Sequence, residues 1–262
     1  MNTPPPKRLL PWIVAHRGAM DEAPENTRSA FDAAIAYPID GIELDVQMTR
    51  DGVLVVFHDQ ELTRINGMTE GVAHFRYDEL SRLDWGVWYS ASFRGEPVLT
   101  LDDTLLLYAN RTRLMIEIKS FDVDRRCGRP LEVTRRVLEL LQRLMKPRDS
   151  ENIFILSFDE AVLVYANRID PRWNIVLNVE NPRSLVTESQ TSTDQLFAYC
   201  ASIGSLDSEI VTHMHSRTKK VMTYSCNTSS DVQKALDLGC DVIMTDKPGW
   251  VFDYLKSRHL LQ

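Results

Sequence analysis

The sequence predicts an α/β fold, a (β/α)8 TIM barrel with a small inserted lobe after the second-strand hairpin, and three observations carry that reading. Eight short, nearly continuous apolar runs alternate with amphipathic segments along the 262 residues, the pattern of a parallel sheet covered on both faces. The alternation breaks once, in a Gly- and aromatic-rich stretch at about 60–100. Polar residues recur at the ends of the apolar runs, where a barrel gathers its chemistry. A doubly wound open sheet is the alternative. At this length, and with 44% hydrophobic residues, we expect one domain over 1–262 rather than two small ones.

The elements follow in order. Residues 1–8 are Pro-rich and basic and read as a loose arm. Leu9 to Ala15 is a buried strand that delivers His16-Arg17-Gly18. Thr27 caps a helix with the apolar stripe Ala30, Phe31, Ala34 and Ile35, ended before Pro38. Gly41 to Val46 is the second strand, Asp51-Gly52 a hairpin turn, and Val53 to His58 the returning strand, with His58 roughly opposite Glu43. Beyond the insertion come a helix from Leu101 to Asn110 and a strand from Arg113 to Lys119. A long helix then starts at Pro130 and runs to about Met145. Asn152 to Phe158 is a strand, Asp159 caps a helix through Arg168, and Asn174 to Val179 is a strand. Residues 182–196 are polar and ambiguous. A weak strand within Phe197 to Leu206, a helix from Asp207 to Arg217 and a strand from Lys220 to Ser225 follow. Gly239 closes a helix from Ser230 to Leu238, ahead of a last strand, Asp241 to Thr245, and a closing helix from Pro248.

Several function classes drop out. The net charge of −7, with Lys and Arg scattered, gives no footprint for nucleic acid. The apolar run at Leu9 is too short to span a membrane, contains Pro11 and lacks a cleavage site, so we expect no stable membrane insertion and a cytoplasmic location. Cys127, Cys200, Cys226 and Cys240 lie far apart and read as reduced structural thiols.

Chemistry is expected where the strands end. Glu43 and Asp45 share one strand face, and the opposite parity, Ile42, Leu44 and Val46, faces the helices, which turns both acids inward. Buried charges of one sign need a partner. With Glu117 they make three carboxylates able to hold one hard divalent ion. Arg17 and Lys119 can bind an anion, or Lys119 can pair with Glu117. His16 and His58 suit general acid/base work. Together these point to hydrolytic displacement at a phosphate. Ser157, Asn178 and Asn227 also stand at strand ends. The aromatics of the insertion read first as a local core, with Trp85, Trp88 and Tyr89 offering ring faces to a quaternary ammonium group as the alternative.

The order and spacing of His16-Arg17-Gly18, Pro24-Glu25-Asn26-Thr27, Glu43-Leu44-Asp45-Val46, Asp51-Gly52, Val56-Phe57-His58-Asp59, Glu117-Ile118-Lys119, Ser157-Phe158 and Thr245-Asp246-Lys247-Pro248 resemble the glycerophosphodiester phosphodiesterase family, from about residue 12 to 250. The stretch from Asp59 to Leu101 resembles that family's insertion. The resemblance implies a barrel that cleaves sn-glycerol-3-phosphodiesters, small-molecule substrates such as glycerophosphocholine and glycerophosphoethanolamine, to glycerol 3-phosphate and an alcohol. It implies His16 and His58 as the acid/base pair, Glu43, Asp45 and Glu117 as ligands of Mg²⁺ or Ca²⁺, and Arg17 and Lys119 on the phosphate. Tyr224-Ser225-Cys226-Asn227 stands where many members carry Trp-Thr-Val-Asn, so Phe158, Tyr224 and Asn227 are expected at a pocket wall that differs from theirs. A lysophospholipase D acting on acylated diesters and a non-catalytic diester-binding protein are the competing readings.

Overall fold

Alternation with both parities buried produces a strand that faces helices on one side and a barrel interior on the other. The computed structural model, which describes residues 10–187 and 195–260, has this arrangement. Its strands are β1 (Trp12–His16), β2 (Gly41–Met48), β3 (Leu54–Val56), β4 (Arg113–Ile118), β5 (Ile153–Ser157), β6 (Asn174–Val179), β7 (Ala198–Ser202), β8 (Lys220–Tyr224) and β9 (Val242–Thr245). Among the described residues β1 pairs in parallel with both β2 and β9, which closes eight parallel strands into a barrel, and β3 is antiparallel to β2. The open doubly wound alternative is thereby excluded.

Inside the barrel Val14, Met115, Phe154, Leu156, Val176, Met222, Val242 and Met244 form one apolar cluster. The alternate residues, such as Ile13, Ile42, Leu44, Val46 and Ile116, pack outward under the helices. Helix starts follow side-chain chemistry: Thr27, Thr100, Asp159, Asp207 and Thr228 each accept a backbone N–H at their cap. Gly239, at φ 77°, ends the helix Ser229–Leu238. Residues of the insertion build a separate small core from Val55, Phe57, Leu62, Val72, Leu80, Trp85 and Val98. Trp85 is 3% exposed and meets Phe57 edge-on, so its ring belongs to that core. No helix among the described residues is long and apolar enough to cross a membrane.

One expectation changes and two are made definite. The returning strand is only Leu54–Val56: Val56 N–H meets Leu99 O, and a last bond to β2, Phe57 N–H to Asp45 O, precedes the chain's departure for the lobe. The weak strand within 197–206 stops at Ser202, whose hydroxyl caps a 3-10 turn over Ile203–Ser205. In the ambiguous region Ser184–Thr187 is helical, while 188–194, like the arm at 1–8, lies outside the described residues.

One edge of β2 changes partner halfway. Gly41 to Glu43 pair with Val14 to His16 of β1, and Val46 to Met48 pair with β3. At the gap Asn26 takes a strand's place: its Oδ1 accepts Asp45 N–H at 3.3 Å and its Nδ2 donates to Asp45 Oδ2 at 2.9 Å. The two acids therefore sit at the point where the sheet edge is handed from one strand to another.

Candidate active site

At the carboxyl end of the barrel a cavity of about 260 Å³ is lined by His16, Arg17, Glu43, His58, Glu117, Lys119, Phe158, Asn178 and Tyr224, with Leu156, Cys200 and Met244 among its apolar walls. A larger cavity, about 430 Å³, is bordered by Trp12, Phe197, Lys220, Leu236 and Val242 and touches none of the expected site residues.

Glu43, Asp45 and Glu117 face inward from β2 and β4, whose register sets Asp45 beside Glu117. One oxygen from each lies within 4.8 Å of the others. Burial, and then the charges of Asp45 and Glu117, push the Glu43 carboxyl well above the usual range. Burial would raise Asp45 too, but Lys119, Arg17 and His58 outweigh it and hold that carboxyl well below the usual range. Three convergent hard oxygen donors fit a divalent cation.

The cations are close by. Lys119 Nζ lies 2.7 Å from Glu117 Oε1 and 3.3 Å from Asp45 Oδ1, so the internal ion pair anticipated for Glu117 and Lys119 is formed. Asn178 Nδ2 donates to Glu117 Oε2 at 3.0 Å. Arg17 reaches Glu25 Oε1 at 3.0 Å and Asp45 Oδ2 at 3.2 Å. Its backbone is left-handed, φ 56°, held by its N–H on Glu43 O and by Asn26 N–H on its carbonyl. Such a conformation costs a non-glycine residue about 1–3 kcal/mol and persists where surroundings over-determine it. Gly18 follows at φ 91°, where a Cβ would lie 2.7 Å from Ala30 Cβ.

Both histidines are held at Nδ1 by a carboxylate. His16 Nδ1 is 2.7 Å from Asp246 Oδ1, and its Nε2 is 3.9 Å from Glu43 Oε2. His58 Nδ1 is 2.8 Å from Asp59 Oδ1. The β2–β3 register pairs Val46 with Val56, which aligns His58 with Leu44 rather than Glu43, yet His58 and Glu43 line the same cavity. Burial acts to raise Asp246, but the hydrogen bond and charge of His16, with the Asn227 hydrogen bond and the charge of Arg17, together outweigh it; Asp59 is likewise depressed by His58 and Arg64 against burial.

Tyr224 stacks against His16, ring centroids 6.3 Å apart, and Phe158 shares the wall at 37% exposure. Burial pushes the Tyr224 phenol up to about 12. Asn227 is not among the cavity-lining residues; it stands behind Asp246, donating to Oδ2 at 2.6 Å. Ser157 serves the backbone, donating to Ile118 O and accepting from Asp159 N–H. Five residues that sequence reasoning left without a role bear on the site: Glu25, Asn26, Asp59, Arg64 and Asp246. Four of them lie in or beside the quoted motifs, the only signal available for them.

Comparison with known proteins agrees with this picture. The Bacillus subtilis protein YhdW is 30% identical over 251 residues, 95% of this chain and 100% of its own. The glycerophosphodiester phosphodiesterase of Caldanaerobacter subterraneus subsp. tengcongensis is 29% identical over 251 residues, 94% of this chain and 98% of its own. In fold, the chain is similar to an Oleispira antarctica phosphodiesterase solved in complex with the product sn-glycerol-3-phosphate, with a TM-score of 0.85 at 24% identity over 94% of this chain and 97% of that one. The model of the glycerophosphoryl diester phosphodiesterase family matches residues 16–250, and with the barrel and the groups at its mouth this shows that the chain belongs to that family and is a glycerophosphodiester phosphodiesterase.

Proposed function

We propose that this enzyme hydrolyses water-soluble sn-glycerol-3-phosphodiesters, glycerophosphocholine and glycerophosphoethanolamine among them, to glycerol 3-phosphate and the free alcohol. The observation that carries the reading is the pair of carboxylate-held histidines opening onto one cavity with three clustered acids and two cations.

Glu43, Asp45 and Glu117 would hold Mg²⁺ or Ca²⁺, which when bound supplies charge stabilisation to the phosphoryl oxygens. Arg17 and Lys119 contact the phosphate, Arg17 through its fork and Lys119 as a point charge. One histidine takes the proton of the attacking hydroxyl at Nε2. The bond from phosphorus to the alcohol oxygen breaks, and the other histidine delivers a proton to that oxygen. The attacking group is water or the glycerol's own hydroxyl, the latter passing through a cyclic phosphate that is then opened by water, one histidine taking the water's proton and the other protonating the released ring oxygen. Asp246 and Asp59 stabilise the imidazolium forms and fix which nitrogen faces the substrate. Phe158 and Tyr224 form the apolar side of the pocket.

The aromatic lobe supports a soluble rather than an acylated substrate. Trp85 is buried in the lobe's own core, and Arg64 covers the Trp88 ring at 4.8 Å. Four cysteine thiols, three of them buried, support a reducing compartment, the cytoplasm, as the place of action. The test is release of glycerol 3-phosphate from glycerophosphocholine with Mg²⁺ or Ca²⁺. Chelator should abolish it, and His16→Ala or His58→Ala should each cost about 10²- to 10⁴-fold. Metal-independent turnover, or full activity in either variant, overturns the mechanism. Faster turnover of acylated diesters overturns the substrate class.

A further inference from the structure

Arg64 is on the short helix Thr63–Asn66 of the inserted lobe, yet its guanidinium spans both halves of the site. Its Nε donates to Asp59 Oδ2 at 2.8 Å, and its two terminal nitrogens reach the two oxygens of Glu25 at 2.8 and 3.0 Å. One face lies over Trp88, 4.8 Å from the ring centroid. The carboxylates it grips are the ones that steer functional side chains. The other oxygen of Asp59 meets His58 Nδ1, and Glu25 Oε1 also accepts from Arg17 at 3.0 Å.

Glu25, His58 and Asp59 also bring ligand atoms within 4.8 Å of one another, which invites a second cation. Two guanidinium groups already face Glu25 and one faces Asp59, so the acids are balanced by protein charges. The cluster is a chain of oriented hydrogen bonds that runs from the lobe to the proton carrier on one branch and to the phosphate-binding cation on the other.

We propose that Arg64 is a positioning residue for the hydrolytic reaction. Through Asp59 it fixes the orientation of His58, and through Glu25 it fixes Arg17, so that the docked lobe, by way of one side chain, holds an acid/base group and a phosphate contact in place together. Only a planar fork serves both carboxylates; a lysine ammonium lacks the geometry to grip Glu25 with two parallel bonds while holding Asp59. The proposal rests on the reading of His58 and Arg17 given above.

The experiment is a set of double-mutant cycles on the full chain with glycerophosphocholine and Mg²⁺, kcat and KM being measured on variants whose melting shows them folded. Arg64→Ala should lower kcat by about 10- to 100-fold, the usual effect of removing an outer-shell partner, and also raise KM. In an Asp59→Ala background the kcat effect of Arg64→Ala should vanish and the KM effect persist. In a Glu25→Ala background the KM effect should vanish. Arg64→Lys keeps the charge and should remain impaired, and it carries the same cycles if Arg64→Ala does not fold. Additive losses, or wild-type kcat in Arg64→Ala or Arg64→Lys while His58→Ala is inactive, overturn the proposal alone. Wild-type kcat in His58→Ala overturns the acid/base reading and the proposal with it.

Discussion

Replacing Asp246 by Asn exchanges one carboxylate oxygen for an amide group, and the surrounding hydrogen bonds dictate which oxygen is exchanged. Asn227 cannot turn over, because its Oδ1 accepts from Asp246 N–H at 2.9 Å and from Thr245 Oγ1 at 3.1 Å. Its Nδ2 therefore points at Asp246 Oδ2, 2.6 Å away, and requires an acceptor there. In Asp246→Asn the carbonyl must occupy that position, so the NH₂ faces His16 Nδ1, where Oδ1 now stands at 2.7 Å. A ring that must accept at Nδ1 carries its proton on Nε2 and has no lone pair left for the substrate side. The expected loss is that of a general acid/base contribution, about 10²- to 10⁴-fold in kcat, or roughly 3–5 kcal/mol of barrier. The assay is enzymatic detection of released glycerol 3-phosphate from glycerophosphocholine, with thermal melts to confirm folding. Adding Asn227→Asp turns the amide back, since the carboxylate introduced there would accept from the NH₂ and leave the carbonyl to His16, and should restore part of the lost activity. Folded Asp246→Asn protein with wild-type kcat would refute the reasoning, as would a double variant no better than the single one.

Four further outcomes follow from the same geometry. Because the raised Glu43 carboxyl binds a proton more readily folded than unfolded, its ionised form destabilises the metal-free protein at neutral pH; Glu43→Gln should melt higher than wild type in chelator. The same variant should lose the gain that saturating Mg²⁺ or Ca²⁺ gives wild type, about 2.7 kcal/mol at 100-fold excess over Kd, and equal gains in both proteins would argue against that ligand. For Gly18→Ala, the left-handed backbone and the 2.7 Å approach to Ala30 Cβ should together cost about 2–4 kcal/mol, seen as a Tm lower by roughly 5–15 °C, whereas an unchanged Tm would mean that the loop yields. Finally, Asp45, Asp59 and Asp246 are depressed in the folded state, so the unfolded chain takes up their protons first. Their contribution is complete above the ordinary carboxylate pKa of about 4 and is lost as pH falls through the folded values. Urea midpoints in chelator should drop below that pH, and a flat profile down to strongly acid pH would contradict the sign.

The barrel was legible because the strands bury both parities and most of the major helices announce their start with a Thr or Asp cap, or, for Arg129–Leu144 and Pro248–Ser257, with a proline in the first turn, features written within a few residues of sequence. Glu43 and Asp45 were legible by the same logic, since Ile42, Leu44 and Val46 could only face the helices. His16 and His58 were visible as strand-end residues, but their carboxylate partners were not equally so. Asp59 is adjacent to His58, whereas Asp246 lies 230 positions from His16, and no local periodicity encodes a contact that exists only once the barrel closes. The Arg64 bridge is hidden for a related reason: residues 25, 59 and 64 come together through the docking of the lobe. The early end of β3 was obscured because Val56 and Phe57 carry strand-like side chains, and Phe57 N–H still bonds Asp45 O of β2 where the strand ends. The substrate class came from the family resemblance, which spacing alone could not supply.

Apart from Asp246, the charged groups that line or steer the cavity all come from residues 16–119, while Asp246 directly follows β9, the strand that zips the sheet shut against β1. A growing or refolding chain can thus assemble its acids, cations and both imidazoles and still lack the group that sets the His16 tautomer. Ring closure between segments so distant in sequence carries a heavy loop-closure cost and tends to come late in folding. Turnover is then expected to follow completion of the fold: recovery of activity after denaturation should report the docking of the final strand rather than the first appearance of helix and sheet.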